Sequence, residues 1–199
     1  MDGYARSHGK ARWVDKTPNY YNYLDFIDEI FAEDVNYLFM TRHPFDTIQS
    51  LEGWGRGHYG FDDPEIERHV QANGVGRFSW AKYWRDVNER LLTFAAGHPE
   101  RCKLFKYEDL IRNPETTLQD ILGSIGEVFS PSMIAHAFDD GPRTMKGFGD
   151  SKVRRTSGIH SMSIGKWRDW TSGERDALWR IAGETADLLG YAREIDSMS

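Results

Sequence analysis

Arg42 and Ser50 have the types and spacing to bind a phosphate. Arg42 follows Tyr37-Leu38-Phe39-Met40-Thr41, an apolar, aromatic-rich run long enough for one buried strand. Pro44 then fixes φ and suits the first position of a helix, and Phe45, Ile48 and Leu51 recur at helical spacing. This puts Arg42 at the carboxyl end of a strand and Ser50 about two turns into the next helix, where open α/β sheets bind ligands. A guanidinium fork, a hydroxyl and a helix start converging there suit a phosphate. The competing reading is a solvated corner, with Ser50 facing water. Two further cationic groups stand beside this one: Lys16 in Asp15-Lys16-Thr17-Pro18, and a basic stretch with Arg143, Lys146, Lys152, Arg154, Arg155 and Lys166. Taken singly, such loop charges read equally well as solvated.

These residues need a scaffold, and the chain can provide one. Its 199 residues fit a single domain, and an apolar share of 39% with seven Trp supports a sizeable core. The net charge of −6 excludes a general nucleic-acid binder while leaving room for a local basic pocket. Cys102 is the single cysteine, so no internal disulfide forms, which suits a reducing compartment. No apolar run approaches the roughly 20 residues of a membrane span, and no signal-peptide core opens the chain. A cytoplasmic location is expected.

Along the chain, the first dozen residues read as the end of a helix and Arg12-Trp13-Val14-Asp15 as a short strand. Pro18 turns the chain, and Leu24, Ile27, Ile30 and Phe31 predict an amphipathic helix over about 19–32. After the strand and helix around Arg42, the stretch from Gly53 to Val75 reads as a Gly-rich surface loop whose glycines match no P-loop. A long helix is predicted from Arg77 to Ala96, ended by Gly97 and Pro99. Cys102 to Tyr107 reads as a strand, Asn113-Pro114 as a helix start, and Ser130-Pro131 as the start of a short helix. Asp139 to Ser163 is irregular, and loops that long are usually functional or disordered. Thr171-Ser172-Gly173-Glu174 is a capping box opening a last helix that ends near Leu189, with Gly190 as its stop. Strand–helix–strand alternation predicts a parallel sheet.

Taken together and in order, these segments resemble the sulfotransferases that use 3′-phosphoadenosine 5′-phosphosulfate (PAPS). The run from Arg42 to Ser50 resembles that family's 3′-phosphate motif, Asp15-Lys16-Thr17-Pro18 its lysine-bearing strand end, Lys106-Tyr107-Glu108-Asp109-Leu110 its Tyr-Glu-Asp-Leu segment, and Ser163-Ile164-Gly165-Lys166-Trp167-Arg168 its C-terminal loop. The resemblance covers about residues 12–170 and implies an α/β, P-loop NTPase-like fold with a parallel sheet flanked by helices. It also implies PAPS as sulfuryl donor, 3′-phosphoadenosine 5′-phosphate (PAP) as product, and an acceptor with a hydroxyl, either a small molecule or carrier-bound. Arg42 and Ser50 would bind the 3′-phosphate, aided by Arg154, Arg155, Gly165 and Lys166. Tyr107 would lie near the adenine, and Lys16 would approach the transferring sulfuryl group. No metal is assigned.

The chain departs from the family pattern in two respects. The 5′-phosphosulfate loop and the strand before it would lie upstream of Lys16, and none of the 15 preceding residues resembles them. The expectation is an N-terminally incomplete domain, completed by an upstream segment, a partner or self-association, because a missing interior strand exposes apolar edges. The catalytic base is also displaced: where some branches have a His two residues after the Lys, position 18 is Pro. His58 and His160 are the loop histidines that remain as candidates, and both read equally as surface residues. Trp54, His58, Tyr59 and Phe61 would form an aromatic acceptor rim, or else pack beneath a loop. The alternative function is a non-catalytic nucleotide-binding or scaffold remnant of the same fold.

Overall fold

The computed structural model describes residues 2–55, 63–135 and 161–193. Its sheet, among the described residues, has two strands. Strand β1 (Tyr37–Thr41) runs parallel to β2 (Cys102–Lys106), with Phe39 opposite Leu104 and Thr41 opposite Lys106. Alternation sorts β1 by face: Tyr37, Phe39 and Thr41 are buried, whereas Leu38 and Met40 are 38% and 52% exposed. The parallel pairing expected from the strand–helix–strand pattern is present, and helices flank the pair.

A short α1 (Asp2–Ser7) opens the chain, and α2 (Leu24–Phe31) precedes β1. From the end of β1, α3 (Pro44–Gly55) carries the motif helix, with Phe45 and Ile48 fully buried. Helices α4 (Pro64–Asn73) and α5 (Arg77–Gly97) follow, then β2, α6 (Tyr107–Arg112), α7 (Pro114–Ser124), the single turn α8 (Ser132–Ala135) and α9 (Ser172–Leu188). The Thr171–Glu174 capping box forms, and Gly190 takes a φ of 71° beyond the last turn.

Helix α5 packs against α3, α4 and α9 and joins two cores. Its Trp80 and Ala81 meet Phe45, Ile48, Ile66, Trp167, Trp170 and Leu178. Its Leu91, Phe94 and Ala95 meet Tyr21, Leu24, Tyr37 and Phe39 at the sheet. The first core lies directly under the start of α3, so that corner is supported by close-packed aromatic side chains.

Three expectations need correction. Arg12 to Asp15 is irregular and pairs with no strand among the described residues, because the pleat alone does not hold a strand without a neighbour's hydrogen bonds. The helix expected over 19–32 is divided: Pro18–Asn22 is a 3-10 turn, with Tyr20 N–H bonded to Thr17 and Tyr23 N–H to Tyr20, and α2 begins only at Leu24. The supposed loop from Gly53 to Val75 contains the end of α3 and all of α4. The Asp63 side chain caps Glu65 N–H, Pro64 fills the first position, and Ile66 and His69 point inward. That start signal, Asp-Pro before an apolar periodicity, was present in the sequence but overshadowed by the neighbouring glycines.

Candidate functional site

Arg42 lies one residue beyond β1, half-buried between β1 and α3. Its Nη2 donates to the Ser163 carbonyl at 2.5 Å, and its guanidinium lies 4.9 Å from the centre of the Tyr107 ring. The Tyr107 hydroxyl is 2.9 Å from Ser163 Oγ. Trp84, on α5, donates its indole N–H to the Arg42 carbonyl at 2.9 Å, which fixes the backbone from the other side. The Arg42 Nε is buried and has no partner among the described residues. An unpaired donor on a cation is costly, and an anion would satisfy it.

The next residues bind the corner into the core. His43 N–H donates to the buried Glu108 carboxylate at 2.9 Å, and Tyr191 O–H reaches the same group at 3.3 Å. The His43 Nδ1 accepts from Phe45 N–H at 3.2 Å, which assigns its proton to Nε2, 3.0 Å from the Ala192 carbonyl. Its ring stacks on Trp167 at 5.4 Å with the planes 7° apart. Burial, the largest influence, and the neighbouring Arg42 and Arg168 charges push the His43 pKa down to about 4, so the ring is neutral near pH 7. Asp46, in the first turn of α3, accepts the Gly165 N–H at 2.7 Å. Burial raises its pKa, opposed by the Gly165 N–H and by Arg42.

The segment from Ser163 to Trp170 therefore runs alongside α3: Ser163 meets Arg42, Gly165 meets Asp46, Trp167 meets His43 and Phe45, and Trp170 donates to Gln49 at 2.8 Å. Gly165 takes a φ of 78°, a left-handed conformation that favours glycine, and a Cβ there would also require the Arg168 guanidinium, 2.0 Å away, to move aside.

Of the residues singled out from the sequence, Arg42, Tyr107 and Gly165 are brought together. Ser50 and Lys166 are exposed, and Lys16 is exposed on the irregular stretch before Pro18. His58, His160, Arg154, Arg155, Tyr59 and Phe61 lie outside the described residues. Sequence reasoning missed His43, Asp46, Glu108 and Trp167. Their common signal is position: each lies one to four residues from a recognised motif residue, on the same turn or strand end. A separate cluster, Glu65, His69 and Asp86, gathers three donor atoms within 4.8 Å. Arginines already neutralise it: Arg68 Nη2 bonds Glu65 and lies 3.0 Å from both His69 Nε2 and Asp86 Oδ2, tying α4 to α5, Arg85 lies 2.6 Å from Asp86, and Arg90 lies 3.7 Å from Glu65.

The comparisons with known proteins agree with this architecture. A model of the sulfotransferase family matches residues 1–131, and the chain belongs to that family. It is 24% identical over 203 residues to the nodulation protein NoeE of Sinorhizobium fredii (strain NBRC 101917 / NGR234), covering 96% of this chain and 47% of NoeE. The chain thus spans about half the length of that relative. Among solved structures, it is similar to the sulfotransferase domain from the curacin biosynthetic pathway, with TM-score 0.72, 21% identity, and coverage of 96% of this chain and 66% of that one. It is also similar to the sulfotransferase domain from the Synechococcus PCC 7002 olefin synthase, with TM-score 0.69, 22% identity, and coverage of 96% and 62%. The fold is that of the sulfotransferases. No helix among the described residues is long and apolar enough to cross a membrane.

Proposed function

We propose that the chain carries the nucleotide-binding half of a sulfotransferase site, taking PAPS as donor and passing its sulfuryl group to an acceptor hydroxyl. One observation carries this reading: a half-buried Arg at a parallel strand's carboxyl end, with a buried Nε unpartnered among the described residues, between the Tyr107 ring and the Ser163–Lys166 segment. Arg42 takes the 3′-phosphate, with Ser50 and Lys166 as further donors, Gly165 placing the segment that carries Lys166, and Tyr107 beside the adenine. Arg154 and Arg155 are the remaining candidates for the same phosphate.

Transfer breaks the bond between the sulfuryl sulfur and the bridging oxygen of the donor and forms one to the acceptor oxygen. The leaving phosphate gains charge, and the acceptor's proton goes to a base. Lys16 is proposed to stabilise the charge developing at the bridging and equatorial oxygens, as positioned cations do in phosphoryl transfer. His58 and His160 are the candidate bases. The aromatic rim expected from Trp54, His58, Tyr59 and Phe61 is compatible with several acceptors, so the panel should include a sugar, a lipid and a carrier-bound hydroxyacyl chain.

The test is thermal unfolding with PAP, with adenosine 5′-phosphate as control. At a hundredfold excess over Kd a single site contributes about 2.7 kcal/mol, roughly 5–10 °C for a chain this long. A rise with PAP alone supports the 3′-phosphate site, and equal curves with both nucleotides reject it. The exposure of Lys16 favours a second reading, a nucleotide-binding remnant without transfer. Labelled PAPS with the acceptor panel separates the two, since the remnant binds PAP but transfers nothing.

A further inference from the structure

Asp46 has two features that a purely structural helix residue lacks. It is 1% exposed, yet its Oδ2 has no hydrogen-bond partner among the described residues, so there a carboxylate is buried with one oxygen's acceptors unused. Its other oxygen bonds the Gly165 N–H at 2.7 Å, across 119 residues of chain. Helix capping does not explain it, because the side chain reaches out of its own helix to another segment. The bonded amide belongs to Gly165, whose φ of 78° is a left-handed conformation that side chains rarely adopt.

Two residues before Gly165, the Ser163 carbonyl accepts the Arg42 Nη2, and two residues after it, Trp167 stacks on His43. Asp46 therefore holds the middle of a segment whose flanks cover Arg42 on one side and seal the aromatic core on the other. A carbonyl on a guanidinium nitrogen is a weaker partner than a phosphate oxygen would be, and it lies where an anion would compete for the same donor.

We propose that Asp46 is a positioning residue: through the Gly165 N–H it docks the Ser163–Trp170 segment across Arg42, so that the Ser163 carbonyl covers the guanidinium until an anion takes its place and the segment's own donors close on that anion. This rests on the 3′-phosphate reading above for the identity of the anion, but not for the docking itself. The charged groups facing Asp46 are Arg42 on the strand end, Arg168 in the docked segment and Glu108 on α6. The docking bond needs only an acceptor oxygen at Oδ1, so an amide serves where a methyl does not.

The experiment compares the parent with Asp46→Ala and Asp46→Asn by hydrogen exchange and by PAP titration. In Asp46→Ala, exchange of peptides covering residues 163–170 should rise at least about tenfold while α9 beyond its first turn stays protected. Asp46→Asn should stay near the parent. PAP affinity should fall about tenfold in Asp46→Ala and stay within about threefold in Asp46→Asn. Unchanged exchange at 163–170 in both variants overturns the docking role, whether or not nucleotide binds. A parent that binds no PAP overturns the 3′-phosphate reading while the exchange data still decide the docking. If Asp46→Ala does not fold, Asp46→Ser, whose hydroxyl falls short of Gly165, takes its place and must show the same rise.

Discussion

Arg42 is held from several sides, whereas Lys16 stands exposed on a stretch with no regular structure. Around Arg42, the Ser163 carbonyl, the Tyr107 ring and the Trp84 indole fix both side chain and backbone, and the core beneath contains Phe45, Trp80 and Trp167. Beside Lys16 in the chain, a Tyr20 hydroxyl donates to the Asp15 carboxylate and a 3-10 turn follows from Pro18. The two residues are proposed to serve opposite ends of one donor molecule. The contrast is between a cation whose surroundings are already built, at Arg42, and one that the described residues leave exposed on irregular backbone, at Lys16.

The largest effect should come from removing the packing beneath the rigid corner. Trp167 is 1% exposed and meets both His43 and Phe45, so Trp167→Ala should lose about 3–5 kcal/mol, read as a midpoint drop of roughly 10 °C or more in chemical or thermal unfolding. A loss below about 1 kcal/mol would mean the segment after Ser163 is not part of the core, and the comparison would break.

The neutral His43 gives the corner a pH dependence. Its pKa is 6.5 when unfolded and about 4 when folded, so the unfolded state binds more protons between those values. Stability from this group is complete above pH 6.5 and is lost as pH falls through 6.5 toward 4, by up to about 3 kcal/mol. Asp46 acts in the opposite sense: its raised pKa lets the native state gain a proton first, which adds stability as pH falls through that value. The His43 contribution is isolated by subtracting the unfolding curve of His43→Gln, which should lack the decline between pH 6.5 and 4. Parallel curves for parent and variant would remove His43 from the account.

Next in size is the pair that sharpens the contrast directly. Arg42→Ala should weaken PAP by about 2–3 kcal/mol, roughly 30- to 150-fold by calorimetry, as expected for a lost charge-assisted contact. Lys16→Ala should leave PAP affinity within about threefold while lowering turnover. Equal losses of PAP affinity in the two variants would show that Lys16 belongs to the binding corner after all.

What the sequence made legible follows the same division. The run from Tyr37 to Ser50 declared its strand, proline and helix because apolar periodicity and a φ-fixing residue act locally. The same holds for α5, β2 and the capping box before α9. Helix α4 was hidden because four glycines just before it dominate the composition, although Asp63-Pro64 was a sufficient start signal. At the site, Arg42 and Tyr107 were visible as motif residues. The meeting of Asp46 with Gly165 was not, since a bond across 119 residues leaves no local periodicity to read.

The smallest expected effect lies on the less ordered side. Tyr21 is 7% exposed, donates to the Asp63 carboxylate and lies 3.1 Å from the Tyr83 hydroxyl, while Asn22 Nδ2 reaches Asp63 at 3.3 Å. Burial first, then the neighbouring Tyr83 and Asp63, raises the Tyr21 pKa, which keeps it a donor at any working pH. This joins the turn that follows Lys16 to the cap of α4. Tyr21→Phe keeps the ring in the sheet-side core and removes only the hydroxyl, and Asp63 retains the Glu65 N–H and Asn22 as donors. The loss should therefore be near 1 kcal/mol, a midpoint shift of about 2–4 °C, because no buried charge is left unpaired. If this turn also positions Lys16, Tyr21→Phe should lower turnover with PAP affinity unchanged. A variant with parental turnover would show that Lys16 takes its place from the bound donor alone, which is the stronger form of the contrast between the two ends.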